Sequence, residues 1–383
     1  MTAPLRVLVA GPTYVIGANQ AKWAAVARLG GTSVGLLVPE AWPNSSFGMM
    51  AELECPYPEL EYFPTRTWLG TRGGLHLYPP ATVVAALRAF RPDFVHVELE
   101  SFALGALELG WLARRAGIPY GLFCWENTDR RLSPPRRMAR GAVLRDAACA
   151  IAGNREAADL LVQWGLRGPV DVLPQMGVDV SVFSPRPAPP APPFVIGYLG
   201  RLVPEKGIDL LLEALGVLRG RGVDARLIVQ GGGPAERDLR GRSDRLGLGA
   251  AVEWRAAAPH GRVPDILASL HVLVLPSRSV PGWKEQFGHV LIEAMAMGIP
   301  VVGSTCGEIP RVIGREDAVF PEGDAGALAR LLERACRDDG WRAGLAQAGV
   351  SRVRENYTHE KVARAMVRLW TRVLGREQPS EPV

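Results

Sequence analysis

The sequence predicts an α/β protein made of two doubly wound parallel-sheet domains facing each other across a cleft. Three observations carry this expectation. Apolar runs of four to seven residues alternate with helix-length amphipathic segments along the chain, which is the pattern of parallel strands covered by helices. The alternation breaks once, at FSPRPAPPAPP (183–193), where proline is too dense for helix or sheet and suits a semi-rigid extended linker. A chain of 383 residues also exceeds one core, since single cores stop growing near ~250–300 residues.

In the first half the expected strands are RVLVAG (6–11), SVGLLVP (33–39), FVHVEL (94–99), YGLFCW (120–125), CAIAG (149–153) and VDVLPQ (170–175). Helix-like stretches such as NQAKWAAVARLG, TVVAALRAF and ALGALELGWLARRAG lie between them, and RPD (91–93) and GIP (117–119) punctuate helix ends. After the prolines come FVIGYLG (194–200), a helix through GIDLLLEALGVLRGRG, ARLIVQGGG (225–233), a helix over 234–246, VEWRA (252–256), HVLVLPS (271–277) and AVFPEG (318–323). The expected layout is a first domain over 1–182, the linker over 183–193, a second domain over 194–356, a last amphipathic helix over 357–375 and a disordered tail over 376–383. No repeat of 20–50 residues is present. Ligands of doubly wound sheets bind at the carboxyl ends of the strands.

Composition narrows the class. Hydrophobic content of 48% with 22% charged residues is that of a soluble folded protein. The first apolar run reads straight on as a strand, and nowhere do about 18 apolar residues run without charge, so the expected location is the cytoplasm. The five cysteines are scattered and show no metal-ligand spacing; no metal is expected. A net charge of +5 does not argue for nucleic acid. One basic cluster stands out: Arg130, Arg131, Arg136, Arg137 and Arg140, with Arg145 beyond. A solvated helix face is its plain reading. The other is a site for an anionic acceptor or for an acidic membrane surface, the inner membrane face, where each charge gains about 1 kcal/mol.

The candidate chemistry concentrates after the linker. GYLGRLVPEKGIDLLLEAL places Arg201 and Lys206 in the loop at a strand's carboxyl end, where a planar guanidinium and a compact ammonium suit phosphate oxygens. A salt bridge to Glu205 or to other loop acids is the competing role. In WKEQFGHVLIEAMAMGIPVVGS a helix is expected from near Gly288, with Gly298 as its C-cap. Its first turn offers unpaired N–H groups around 288–291 to an anion. Glu285 lies before that start and Glu293 inside it, eight positions on, or ~12 Å if all were helix. An anion site flanked by two hydroxyl-binding carboxylates fits a sugar, a diphosphate and a ribose. Glycoside hydrolysis also uses paired carboxylates, about 5–9.5 Å apart, but leaves Arg201, Lys206 and the helix tip unexplained. In GPTYVIGANQ, Gly17 suits either a tight strand-to-helix turn or close approach to a substrate. GxGxxG and its downstream acid are absent, against a nicotinamide or flavin.

GRLVPEKGIDLLLEAL, VLPQMGVDVSVFSP, QGGGP, VLVLPSRS and KEQFGHVLIEAMAMGIPVVGSTCGEIPRVIG, in that set and spacing, resemble family 4 (group 1) of the nucleotide-sugar-dependent glycosyltransferases. That family has the GT-B fold of two Rossmann-like domains. The resemblance is closest over about 170–335 and looser before it. It implies a metal-independent, retaining hexosyltransferase-type enzyme of polysaccharide or glycoconjugate biosynthesis, using no cofactor. The donor would be a nucleotide sugar, a UDP-sugar ahead of a GDP-sugar, and the acceptor a glycan, lipid-linked or small molecule.

Carried over by residue, the resemblance implies that Arg201 and Lys206 bind the donor diphosphate, Glu285 the sugar hydroxyls and Glu293 the ribose. The backbone around Phe287, Gly288, His289, Val290 and Leu291 would meet sugar and phosphate. Gly17 matches a glycine loop that often carries Gly-Gly, whereas this chain has Ile16-Gly17-Ala18. In PDFVHVELESFALG the family's histidine is replaced by Glu98, two positions after His96. His96, Glu98, Glu100, Glu126 and Asn127 are therefore the acceptor or reaction-centre candidates, with a structural role as the alternative for each. The last helix is expected to pack back on the first domain. Rival functions on the same fold are a nucleotide-sugar epimerase or hydrolase and a non-catalytic nucleotide-sugar-binding protein.

Overall fold

A computed structural model of the chain describes residues 4–43, 50–70 and 74–376. It divides into two compact units, Met1–Gly177 with His359–Val383, and Val178–Thr358. The tail expected over 376–383 lies outside the described residues beyond Arg376.

In the first unit the chain forms β1 (Leu5–Ala10), β2 (Thr32–Pro39), a short antiparallel pair β3 (Ala41–Pro43) and β4 (Met50–Glu52), then β5 (Leu60–Thr65), β6 (Phe94–Val97), β7 (Tyr120–Cys124), β8 (Cys149–Ala152) and β9 (Val170–Val172). Among the described residues, seven of these strands make one sheet in the order β5-β2-β1-β6-β7-β8-β9, each neighbouring pair parallel. Alternation along β1 feeds two cores: Leu8 and Ala10 join Phe90 and Leu109 on one face, Val7 and Val9 join Trp23 and Trp370 on the other. Between the strands run α1 (Ala21–Arg28), α2 (Pro80–Phe90), α3 (Leu104–Arg115), α4 (Pro134–Asp146) and α5 (Arg155–Gln163). Proline opens α2 and α4, where its missing N–H costs nothing. Asn154 caps α5, its side-chain oxygen accepting from Ala157 N at 2.8 Å.

The helix His359–Val373 belongs to this unit. Val362, Ala363, Met366, Leu369 and Trp370 are buried along one stripe that packs against α1. Trp370 stacks on Trp23 with ring centroids 6.3 Å apart and planes 12° apart.

The second unit carries β10 (Phe194–Leu199), β11 (Ala225–Gln230), β12 (Val252–Arg255), β13 (Val272–Leu275), β14 (Val301–Ser304) and β15 (Val319–Phe320). Their order is β12-β11-β10-β13-β14-β15, all parallel. The helices are α6 (Ile208–Gly220), α7 (Glu236–Arg245), α8 (Val263–Leu267), α9 (His289–Ala296), α10 (Ile309–Ile313), α11 (Ala325–Arg337) and α12 (Asp339–Asn356). Asp324 and Asp338 cap α11 and α12, each accepting a backbone N–H at 2.8 Å. The compact unit starts at Val178, ahead of the proline-rich run. That run is tied to it: Phe183 is buried in its core, Pro189 O lies 3.0 Å from His271 Nε2, and Arg186 pairs with Asp265 at 2.9 Å.

Most strands end one to three residues earlier than the sequence suggested, because the last residues of each run, mostly glycine, proline or polar, turn into the loop. LEYFPT was not expected as a strand, yet β5 forms at the sheet edge, where Pro64 withholds its missing N–H from nothing.

Candidate functional site

In the second unit the loop after β10 and the loop after β13 approach closely at Gly207. This residue is left-handed (φ 70°), and a Cβ there would lie 2.0 Å from Pro276 O. The contact delivers Lys206 to the residues that follow β13. Its Nζ donates to Glu285 Oε2 at 2.6 Å, and Ser277 Oγ donates to the same oxygen at 2.7 Å. The ammonium also lies 5.1 Å from the centroid of the Trp283 ring. Lys206 thus makes the salt bridge that the competing reading allowed, with Glu285 of the loop after β13 and not with Glu205.

The main chain of Glu285 is fixed as firmly. Its N–H meets Cys306 Sγ at 3.4 Å and its carbonyl accepts from Glu308 N at 3.1 Å. Gly307 (φ 56°) lies against that carbonyl so closely that a Cβ would be 2.0 Å away. The Glu285 side chain is nearly buried, where a carboxylate needs partners, and Lys206 and Ser277 supply them. Arg201 is exposed, its carbonyl holding Tyr198 Oη at 2.7 Å; its guanidinium has no carboxylate partner among the described residues.

α9 begins at His289 behind Gly288, whose φ of 82° and contact with Leu275 leave no room for a side chain. Gly298 (φ 72°) follows its end, as the expected C-cap. No side chain caps its N-terminus, and Val290 N–H has no partner among the described residues. Leu291 differs from its neighbours. Its N–H is taken by Gly288 O at 2.9 Å and its side chain is wholly buried, so the open part of the helix tip lies before it. Phe287 sets its ring edge-on to Tyr357 at 5.7 Å.

Glu293 sits on the buried side of α9. Its Oε1 lies 2.8 Å from His260 Nε2 and 3.1 Å from His289 Nδ1. Burial alone would push this carboxyl up, but the two imidazoles hold it down to about 2. His260, 33 positions away in sequence, carried no motif that could have announced it. Ser277 stood within the quoted VLVLPSRS and was not singled out.

The candidates of the first unit separate into two groups. His96 is in the core, its ring edge-on to Trp23 at 5.5 Å and to Trp370 at 5.4 Å, and burial lowers its pKa. Glu98 is equally buried, with Lys22 Nζ 2.5 Å from Oε1 and Gln175 Nε2 3.3 Å from Oε2. Burial raises the Glu98 carboxyl, but the Lys22 ammonium and the His96 ring together outweigh it and hold the group at about 2. The Lys22 ammonium is lowered by the same burial and lies 4.5 Å over the Trp23 ring. Gly17 is closed in as well: its N–H donates to Glu54 Oε2 at 2.6 Å, and a Cβ would lie 2.8 Å from Pro56.

Glu100, Glu126 and Asn127, by contrast, gather at the carboxyl ends of β6 and β7. Glu100 Oε1 accepts from the N–H groups of Trp125 (2.8 Å) and Glu126 (2.9 Å). Its Oε2 is buried with no partner among the described residues. Burial and the neighbouring Glu126 carboxylate push Glu100 up to about 7, against the pull of the two N–H groups. Glu126 accepts from Thr128 Oγ at 2.6 Å and pairs with Arg130 at 2.5 Å; Asn127 is buried beside it. Among the described residues no cluster of three or more His, Cys, Asp or Glu could hold a metal ion. No helix there is long and apolar enough to cross a membrane.

The chain resembles known proteins over most of its length. Residues 182–352 match the family model of glycosyl transferases group 1, and residues 20–175 match that of the glycosyl transferase 4-like domain. The putative colanic acid biosynthesis glycosyltransferase WcaL of Escherichia coli is 38% identical over 162 residues, 41% of this chain and 40% of that relative, so this match spans well under half of WcaL. The GDP-mannose-dependent alpha-(1-6)-phosphatidylinositol dimannoside mannosyltransferase of Mycobacterium tuberculosis is 30% identical over 288 residues, covering 68% of this chain and 71% of the relative. Among solved structures, sucrose-phosphate synthase from Thermosynechococcus elongatus superposes with a TM-score of 0.72 at 20% identity, over 97% of this chain and 100% of that one. Anabaena HepE, solved in complex with UDP, gives 0.71 at 16% identity over 96% and 100%. With two parallel-sheet units of GT-B architecture and a relative of this identity and coverage, the chain belongs to the group 1 glycosyltransferases.

Proposed function

We propose that the protein transfers a sugar from a nucleotide-diphosphate donor to a glycan, lipid-linked or small-molecule acceptor, with retention of anomeric configuration. The observation that carries this is the convergence of Lys206, Ser277 and Glu285 beside the uncapped start of α9. In this reading Arg201 and Lys206 meet the donor diphosphate, and the open N–H groups at Gly288 and Val290 add the partial positive charge of a helix start. Together they stabilise the charge that develops on the departing phosphate, which matters more here than protonation because a diphosphate already leaves readily. Glu285 orients the sugar hydroxyls and Glu293 the ribose. The departing phosphate accepts the acceptor's proton on the same face, which accounts for retention. The second unit is the donor-binding domain and the first the acceptor-binding domain.

A UDP-sugar is the first donor to try and a GDP-sugar the second; HepE was solved with UDP, and the mycobacterial relative is named for GDP-mannose. The acceptor candidates reduce to the Glu100, Glu126 and Asn127 group, since His96 and Glu98 are built into the core. Incubating the protein with each donor and a panel of glycan and glycolipid acceptors, and following product by mass spectrometry and anomeric NMR, tests the reading. Transfer with inverted configuration would refute retention. Free nucleoside diphosphate released at full rate without any acceptor would favour a hydrolase.

Location belongs to the same reading: a cytoplasmic protein touching the inner membrane face through α4 and the segment before it. The five arginines expected there are not equivalent. Arg130 is neutralised by Glu126 and Arg140 faces Asp129 at 3.6 Å, and Arg136 lies over the Phe102 ring. Arg131 and Arg137 are exposed without a carboxylate partner among the described residues, beside Met138, which is 76% exposed. Binding to vesicles that does not change between neutral and anionic lipid would remove this part.

A further inference from the structure

Glu293 raises a question that its assigned partner, a ribose, does not answer. A carboxylate this buried is costly unless its oxygens are paired, yet all the pairing in the structure falls on one of them. Oε1 accepts from His260 Nε2 at 2.8 Å and from His289 Nδ1 at 3.1 Å, while Oε2 has no partner among the described residues. The two histidines differ in origin. His289 lies four residues before Glu293 on α9, so it moves with the carboxylate as part of the same helix. His260 comes from the turn after the edge strand β12, separated from β13 in the sheet by β11 and β10. Its side chain is 57% exposed, so burial does little to hold it there. What holds it are the bond to Glu293 and the Phe183 ring, 5.5 Å away.

Both bonds are available to neutral imidazoles, His260 protonated on Nε2 and His289 on Nδ1. Two donors on one oxygen fix the rotation of the carboxylate and turn the other oxygen into a preset acceptor. Resting on the donor-site reading above, we propose that His260 is a positioning residue: with His289 it clamps Oε1 of Glu293 so that Oε2 is presented to the ribose diol of a nucleoside diphosphate. A group already held in its bound orientation loses little freedom when the ligand arrives. A diol is the chemistry such an acceptor recognises, so the clamp contributes to choosing ribonucleotides over deoxynucleotides and nothing to holding the diphosphate.

The test is isothermal titration of the full chain with UDP, GDP, their 2′,3′-dideoxy counterparts and inorganic pyrophosphate, using the wild type, His260→Ala and His260→Gln. The glutamine amide reaches about where Nε2 lies and keeps an N–H for Oε1. For the ribonucleotide that the wild type binds, His260→Ala is expected to weaken affinity about 10-fold, on the scale of a hydrogen bond to a charged group. Pyrophosphate and the dideoxynucleotides should change less than about twofold, and His260→Gln should recover most of the loss. Ribonucleotide affinity unchanged in His260→Ala overturns the proposal, and so does tighter binding, which would make His260 a plug that the ligand displaces. Equal losses for pyrophosphate would also overturn it, as general damage. If the wild type binds none of these ligands, the donor site itself is refuted and the clamp falls with it.

Discussion

Lys206 and Glu285 look like separate contributors in the sequence, one to a phosphate and one to a sugar, and the fold joins them by a 2.6 Å ion pair. Each therefore holds the other in place before any donor arrives. Lys206→Ala is expected to lower turnover about 100- to 1000-fold, the scale for losing one preorganised charge-stabilising group, with circular dichroism unchanged; near-normal kinetics would remove Lys206 from the reaction. Glu98 shows the opposite lesson. A glutamate in the place of a family histidine invited a chemical role, but Lys22, 76 positions away, turns it into half of a core ion pair, and no spacing rule reveals a partner so distant. Glu100 makes a pH prediction. Its folded pKa, about 7, is raised above the usual carboxylate value, so folding favours its neutral form. That contribution is complete below about pH 4.5 and is lost as pH rises through about 7. Glu100→Gln keeps a neutral side chain, so its melting temperature relative to wild type should rise between pH 5 and pH 8. A difference independent of pH would show that Glu100 does not titrate there.

Among the elements, those with a strong period were legible and those set by tertiary context were not. β1, β6, β7 and β10 were plain because strands buried on both faces are continuously apolar. α9 could be placed from Gly288 to Gly298 because glycine marks both of its ends. β5 was missed because its proline and half-exposed residues resemble a loop until the sheet supplies a neighbour. The first-turn groups of α9 were over-read at Leu291, since sequence cannot tell which N–H a preceding carbonyl will take. The helix His359–Val373 was legible as amphipathic, but its packing on the first domain came only from resemblance, and α1 as its partner only from the structure. That docking makes Trp370 part of the core of the first unit. Trp370→Ala should destabilise this unit by about 3–5 kcal/mol, read by urea denaturation, and leave pyrophosphate binding in the second unit intact. A loss under about 1 kcal/mol would mean the helix contributes little to that core.

For the whole molecule, composition excluded far more than it identified. It gave no sign of a spanning helix or of metal-ligand cysteines and was silent on chemistry, which in the proposed reading rests on the loops after β10 and β13 and the start of α9. Charge compensation by Arg201, Lys206 and a helix start predicts transfer that persists in EDTA; complete loss reversed by magnesium would contradict that assignment. Everything proposed depends on the second unit holding a nucleoside diphosphate. The most direct measurement is therefore thermal-shift binding of the purified protein against a panel of nucleoside diphosphates and nucleotide sugars. A ligand present at 100 times its dissociation constant adds about 2.7 kcal/mol of stability, so the account predicts a clear rise in melting temperature with one nucleotide family and its loss in Lys206→Ala. A folded sample whose melting temperature moves with no member of the panel would contradict the donor site built on Arg201, Lys206, Glu285 and Glu293.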